Sequence, residues 1–258
     1  MLFYQWFGRQ EKSAPVIVLS AGLGGQGAYW EPQLSMLAPF YRILLYDHLG
    51  TGRTGGSVKQ DYSVHDMASE VLELLDDQDV ACVDFMGHAF GGLVGLTLAR
   101  IAPQRINRLV IAGGWISLDA HTQQCFDIRL ALLRECGIDA YLKAQPFFLF
   151  PATWLSAHAH DMAQSRQQAQ AHLPETATIE HRIGALSAFD ASDWIASIKH
   201  ETLVITAYDD MLIPWTASKA LATALPRGEF TCLPYGGHAC SVTEPADFNS
   251  RVQAFLTR

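Results

Sequence analysis

The sequence predicts an α/β fold in which a mostly parallel sheet is covered by helices on both faces. Short apolar, β-branched runs recur along the chain, and several precede segments whose apolar residues have helical spacing. Most of these runs end in glycine-rich turns, as buried strands do where they enter a loop. Strands and helices that alternate in this way form parallel sheets, because each helix carries the chain back to the same edge.

The first half of the chain supplies most of the predicted elements. Apolar runs predict buried strands over residues 16–19, 41–46, 80–85 and 108–112. Helical spacing is present over residues 32–39 and 93–101. Ser63 and Asp66 have the spacing of a capping box, and the apolar positions after them predict an amphipathic helix.

The alternation stops in the middle of the chain. From about residue 119 to 194 the sequence has no strand pattern, and helical patterns with many aromatic residues replace it. We therefore predict a helical cap over residues 117–195, inserted into a core formed by residues 1–116 and 196–258. The core resumes with predicted strands at 203–206 and 230–233, a helix at 215–225, and a last helix that opens at Pro245.

The segment Gly-His-Ala-Phe-Gly at residues 87–91 lies between a predicted strand and a predicted helix. This is the setting of a nucleophile elbow, G-x-S-x-G, whose sharp turn lifts the central side chain above the sheet edge. Here the central residue is Ala89. The sequence therefore predicts the elbow without its nucleophile.

Two later loops also follow predicted strands, which places them at the edge where open α/β sheets bind ligands. One contains Asp209 and Asp210, and the other contains His238. Elbow, acid and histidine occur in the chain order of α/β-hydrolases. We assign His238 as the base and Asp210 as its carboxylate, since its spacing to Pro214 fits D-x-x-x-P; Asp209 is the alternative.

Four further residues are predicted to face a substrate. The backbone N–H groups of Leu23 and Phe90 would form an oxyanion hole, which needs no serine hydroxyl. Trp115, after the strand at 108–112, and His121, in the predicted cap, are the candidate side chains. Core packing is the alternative role for Trp115.

Composition excludes several function classes. The net charge of −8, without a basic cluster, argues against nucleic-acid binding. No apolar run could span a bilayer, and no basic leader precedes the apolar N-terminus, so we expect a cytoplasmic protein. The five unpatterned cysteines indicate neither disulfides nor a metal, and the first glycine loop lacks the G-x-G-x-x-G spacing of a cofactor site. A small-molecule substrate is expected; the oligomeric state stays open, with a homodimer among the alternatives.

The whole chain resembles the α/β-hydrolases, and several stretches resemble the hydrolases of the Rut pyrimidine-utilisation pathway. These stretches are residues 20–25, 87–89, 120–122, 125–126, 144–146, 150–152 and 234–240. The resemblance implies hydrolysis of carbamate or 3-aminoacrylate. It also implies that Ala89 is native, because that family shares alanine at the elbow. Leu49 departs from the D-x-R-G-x-G loop, so any role of that arginine does not transfer.

The missing serine limits the chemistry. A hydrolase that depends on its triad loses on the order of a millionfold in turnover without the serine, whereas a positioned histidine alone contributes roughly 100- to 10,000-fold. Carbamate and aminoacrylate already decompose in water, so the smaller factor could suffice for them. The alternatives are a serine esterase or amidase captured as an Ala89 knock-out, a non-catalytic ligand-binding protein, and a cofactor-free oxygenase or lyase.

Overall fold

The computed structural model describes residues 1–162 and 174–258 and contains a seven-stranded sheet. The strands are β1 (Tyr4–Gly8), β2 (Val16–Ser20), β3 (Arg42–Tyr46), β4 (Val83–His88), β5 (Ile106–Ala112), β6 (Glu201–Ala207) and β7 (Gly228–Leu233). Their spatial order is β1-β3-β2-β4-β5-β6-β7, and β1 alone pairs antiparallel. The predicted fold class is confirmed.

Helices cover both faces of this sheet. The described helices are α1 (Glu31–Leu37), α2 (Val64–Asp77), α3 (Phe90–Ile101), α4 (Ala120–Cys136), α5 (Ile138–Leu149), α6 (Ala152–Ala157), α7 (Thr176–Ser187), α8 (Trp215–Ala224), α9 (Cys240–Thr243) and α10 (Pro245–Leu256). One hydrophobic core joins α2, α3 and α8 to the sheet, and a second core joins α1 and α10 to the opposite face. The sheet is therefore buried on both sides, as parallel sheets require.

The predicted strands are all present, although their ends differ from the predicted bounds by up to three residues; β4, for example, begins at Val83 rather than at residue 80. Strand β4 continues beyond the predicted end at residue 85 through His88, because Gly87 and His88 pair with Ile111 and Ala112 of β5. Strand β1 was not predicted: its residues are all half-buried at the sheet edge, so they carry no buried apolar run.

The predicted capping box begins α2. The Ser63 hydroxyl accepts a hydrogen bond from the Asp66 N–H, and the Asp66 carboxylate accepts one from the Ser63 N–H. Both bonds satisfy donors that a helix start would otherwise leave free.

The described part of residues 117–195, here called the cap segment, contacts two loops that follow strands at the carboxyl edge of the sheet. The Thr122 hydroxyl of α4 donates to the Leu212 carbonyl in the loop after β6. The Ala239 N–H, beyond β7, donates to the carbonyl of Leu149 at the end of α5. In its described residues the segment contains helices and an isolated bridge between Ser117 and Asp190, which joins its two ends.

None of the described helices has the length and apolar character needed to cross a bilayer.

Candidate active site

The elbow between β4 and α3 has the geometry that a nucleophile elbow requires. Ala89 holds φ at +47° and ψ at −113°, a conformation that non-glycine residues rarely adopt. A Cβ at Gly87 would lie 2.4 Å from the Gly91 backbone, and one at Gly91 would lie 2.3 Å from the Ser20 carbonyl oxygen. The turn therefore needs glycine on both sides of Ala89.

Ala89 is held at the carboxyl edge of the sheet. Its N–H donates to the Ala112 carbonyl of β5 at 2.7 Å, and its methyl group is almost fully buried. The turn thus presents a methyl group where the motif usually presents a nucleophile.

His238 and Asp210 form the predicted pair. His238 Nδ1 donates to Asp210 Oδ2 at 2.8 Å, and both side chains are buried. Asp210 Oδ1 accepts from the N–H groups of Leu212 and Ile213, each at 2.9 Å. This carboxylate therefore has a fixed orientation, and it holds the His238 proton on Nδ1 so that Nε2 remains an acceptor.

Asp209 has a different role from its neighbour. Its Oδ1 accepts from the Gly237 N–H at 2.9 Å, while its side chain makes no hydrogen bond to His238. Asp209 therefore ties the acid loop to the histidine loop, and the geometry selects Asp210 as the partner of His238.

His88, inside the elbow, supports the histidine loop. Its Nε2–H donates to the His238 carbonyl at 3.0 Å, and its ring stacks on Tyr29 with 4.6 Å between ring centres. Burial first, and then the nearby charge of His238, holds the His88 pKa well below its usual value. His88 is therefore a neutral hydrogen-bond donor.

The predicted oxyanion donors are both free. Within residues 1–162 and 174–258, neither the N–H of Leu23 nor that of Phe90 donates a hydrogen bond to another group. Phe90 opens α3, whose first N–H groups have no partner inside the helix and carry its positive dipole end. Free main-chain N–H groups of this kind bind anionic oxygens.

The two predicted side chains, those of Trp115 and His121, have different environments. Trp115 is buried, and its indole N–H has no hydrogen-bond partner in the described chain. His121 is exposed, and its ring bonds to the Met211 carbonyl at 2.6 Å, which joins α4 to the loop that carries Asp210. Gly113 was not singled out, yet a Cβ there would lie 3.0 Å from His238 Cε1. Its place directly after β5 is the signal that could have revealed it.

Arg182 of α7 is a second residue that sequence reasoning missed. The guanidinium donates to the Leu23 carbonyl at 3.1 Å, to the Leu49 carbonyl at 3.3 Å and to His48 Nδ1 at 3.1 Å. It also lies 5.3 Å from the centre of the Phe90 ring. No sequence motif marks this arginine, because only the packing of the cap segment brings it to both oxyanion residues.

The described residues hold no group of three or more His, Cys, Asp or Glu side chains that could bind a metal ion. The groups brought together are a histidine with an oriented carboxylate and two free N–H donors. Such a set can move a proton and stabilise an oxyanion.

This fold, with its elbow and its His238–Asp210 pair in that chain order, defines an α/β-hydrolase. A family model described as the alpha/beta hydrolase fold matches residues 15–136. The enol-lactonase from Burkholderia xenovorans superimposes with a TM-score of 0.91 at 26% identity, covering 100% of this chain and 96% of that one. The chain belongs to the α/β-hydrolase family.

Sequence comparison assigns the chain to one group within this family. The chain is 43% identical to the "Putative carbamate hydrolase RutD" of Agrobacterium fabrum, over 99% of this chain and 98% of that protein. It is 45% identical to the protein of the same name from Variovorax paradoxus, over 100% of this chain and 96% of that protein. Within the α/β-hydrolases, the chain belongs to the family of these RutD proteins.

Proposed function

We propose that this protein is a hydrolase that accelerates the breakdown of carbamate or 3-aminoacrylate, with release of ammonia, in pyrimidine catabolism. The observation that carries the proposal is the buried His238–Asp210 pair beside an elbow that presents Ala89. Kinship with proteins named as carbamate hydrolases supports this substrate class.

His238 moves the proton in this mechanism. With its Nδ1 proton held by Asp210, Nε2 accepts a proton from a water molecule and returns it to the departing nitrogen. Asp210 stabilises the imidazolium that forms in between, since its carboxylate is fixed by two backbone N–H groups. No covalent enzyme intermediate is needed.

The Leu23 and Phe90 N–H groups hold the carboxylate oxygen of the substrate. In carbamate hydrolysis the C–N bond breaks and a water oxygen is added, which yields bicarbonate and ammonia. In 3-aminoacrylate hydrolysis water adds at C3, the C–N bond breaks to release ammonia, and the resulting enol transfers its hydroxyl proton to C2, which yields 3-oxopropanoate. Neither reaction changes the net oxidation state of the substrate.

Ammonia release tests the proposal. Freshly generated carbamate and 3-aminoacrylate are incubated separately with buffer, with the protein, and with heat-inactivated protein. We expect the native protein to increase the initial rate over buffer for one of the two compounds, which identifies the substrate. Overlapping time courses for both compounds would contradict the proposal.

A further inference from the structure

Two arginines of the cap segment are buried without a carboxylate partner. Arg182 is 1% exposed and Arg129 is 5% exposed, and the Nε of each has no hydrogen-bond partner in the described chain. Among the described residues, neither guanidinium forms an ion pair. Buried guanidinium groups are ordinarily paired, because their removal from water is costly.

Aromatic rings account for Arg129. Its Cζ lies 5.0 Å, 5.6 Å and 5.8 Å from the ring centres of Phe126, Phe148 and Tyr141. It also donates to the Gln145 side-chain carbonyl. Three π-faces and an amide dipole together compensate a buried cation.

Arg182 has no comparable compensation. Its one cation–π contact among the described residues is with the Phe90 ring, and its hydrogen-bond partners, two carbonyls and the neutral ring of His48, carry no charge. Glu70 is the carboxylate whose charge acts on Arg182, but Glu70 accepts from the Tyr62 hydroxyl at 2.8 Å and forms no ion pair with the arginine. The positive charge of Arg182 is therefore left for an anion to balance.

The position of Arg182 indicates where this anion binds. Arg182 is bonded to Leu23 and faces Phe90, the two residues whose N–H groups are free. Leu49 stands where the D-x-R-G-x-G loop would carry an arginine, and its carbonyl accepts a hydrogen bond from Arg182. The guanidinium that reaches this loop therefore comes from the cap segment. A buried cation bonded to one donor residue and packed near the ring of the other favours a bound carboxylate, because charges interact more strongly where water is excluded from one of them.

We propose that Arg182 is the residue that selects a negatively charged substrate, by balancing the carboxylate held at the Leu23 and Phe90 N–H groups. Arg182 acts through the loop that carries Leu23, so it positions and selects the substrate charge rather than reacting with the substrate. The inference rests on the proposed function and extends it: the site takes small carboxylate or carbamate anions and discriminates against their neutral amides.

Binding without turnover tests this inference. Dissociation constants for acrylate and for acrylamide, which share a three-carbon frame, are measured by NMR titration on the intact protein. We expect acrylate to bind about 10- to 100-fold tighter than acrylamide, the contribution of a charge-assisted hydrogen bond in a buried site. Arg182→Met should reduce this ratio several-fold, to the preference that the two N–H donors alone provide, and Arg182→Lys should lose less of it.

Arg129→Met is the matched control, because it also removes a buried guanidinium from the cap segment. It should leave the acrylate to acrylamide ratio unchanged. The proposal is overturned if the wild-type protein does not prefer acrylate, if Arg182→Met keeps the wild-type ratio, or if Arg129→Met lowers it equally.

A folding check on each variant keeps the result interpretable. Should circular dichroism show that Arg182→Met does not fold, a folded Arg182→Lys protein that binds both ligands equally would overturn the proposal. The binding assay involves no proton transfer, so its result does not depend on the rate of ammonia release. Failure of the hydrolytic mechanism is therefore distinguishable from failure of charge selection.

Discussion

Replacing Asp210 with asparagine tests whether this carboxylate sets the proton on His238. The carboxylate accepts from His238 Nδ1 at 2.8 Å and from the Leu212 and Ile213 N–H groups at 2.9 Å. An asparagine whose oxygen faces the two backbone donors turns its NH2 group towards Nδ1. His238 must then carry its proton on Nε2, where it can no longer accept one.

The expected loss is the full contribution of a general base. Ammonia release above background should fall by roughly 100- to 10,000-fold, equivalent to about 3–5 kcal/mol of transition-state stabilisation. Initial rates with the preferred substrate measure this. The matched control is Asp209→Asn, which retains an oxygen to accept from Gly237 and should stay near the wild-type rate. A folded Asp210→Asn protein with the wild-type rate, or a larger loss in Asp209→Asn, would refute the reasoning.

Three further predictions follow from the elbow and from buried histidines. Ala89→Ser should give a burst of p-nitrophenol from p-nitrophenyl acetate, because the elbow holds residue 89 at the sheet edge and its neighbour His88 bonds to His238; a linear time course would show that elbow and dyad are not aligned. Gly91→Ala should cost about 3 kcal/mol of unfolding free energy, because the new Cβ would lie 2.3 Å from a backbone oxygen. Gly24→Ala meets nothing within 4 Å and should cost far less in the same urea titration. Burial holds the pKa values of His48 and His88 well below 6.5 in the folded protein, so below that pH the unfolded chain binds the extra protons. The contribution of these two histidines to the unfolding free energy should be constant above about pH 7. Below pH 6.5 it should fall by up to about 2.7 kcal/mol per pH unit, since each histidine takes up one proton on unfolding. Urea unfolding at pH 7.5 and 5.5 checks this, and equal values at both pH would contradict it.

The buried strands could be predicted because their signal is local. Strand β2 is a continuous apolar run, and all five of its residues are buried. Strand β1 lacked that signal, since an edge strand with half-buried residues has no pattern to distinguish it from a loop. The end of β4 was placed too early because Gly87 indicates a turn, whereas pairing with β5 keeps it in the sheet.

The pairing of His238 with Asp210 could also be predicted, because motifs mark both residues. Asp210 follows a strand at a fixed spacing from Pro214, and His238 follows a Gly-Gly turn. Arg182 was missed although it has helical spacing to the buried Ile179, because an arginine at such a position usually extends its charged end into solvent. Its hydrogen bond to the Leu23 carbonyl depends on how the cap segment packs, and no spacing along the chain predicts that contact.

The central claim is that His238 catalyses hydrolysis without a nucleophile. The most direct measurement compares ammonia release by the wild-type protein, His238→Ala and His238→Gln, each corrected for the uncatalysed rate. We predict that both variants fall by roughly 100- to 10,000-fold, because neither side chain can accept and return a proton. A folded variant that retains the wild-type rate would contradict the account.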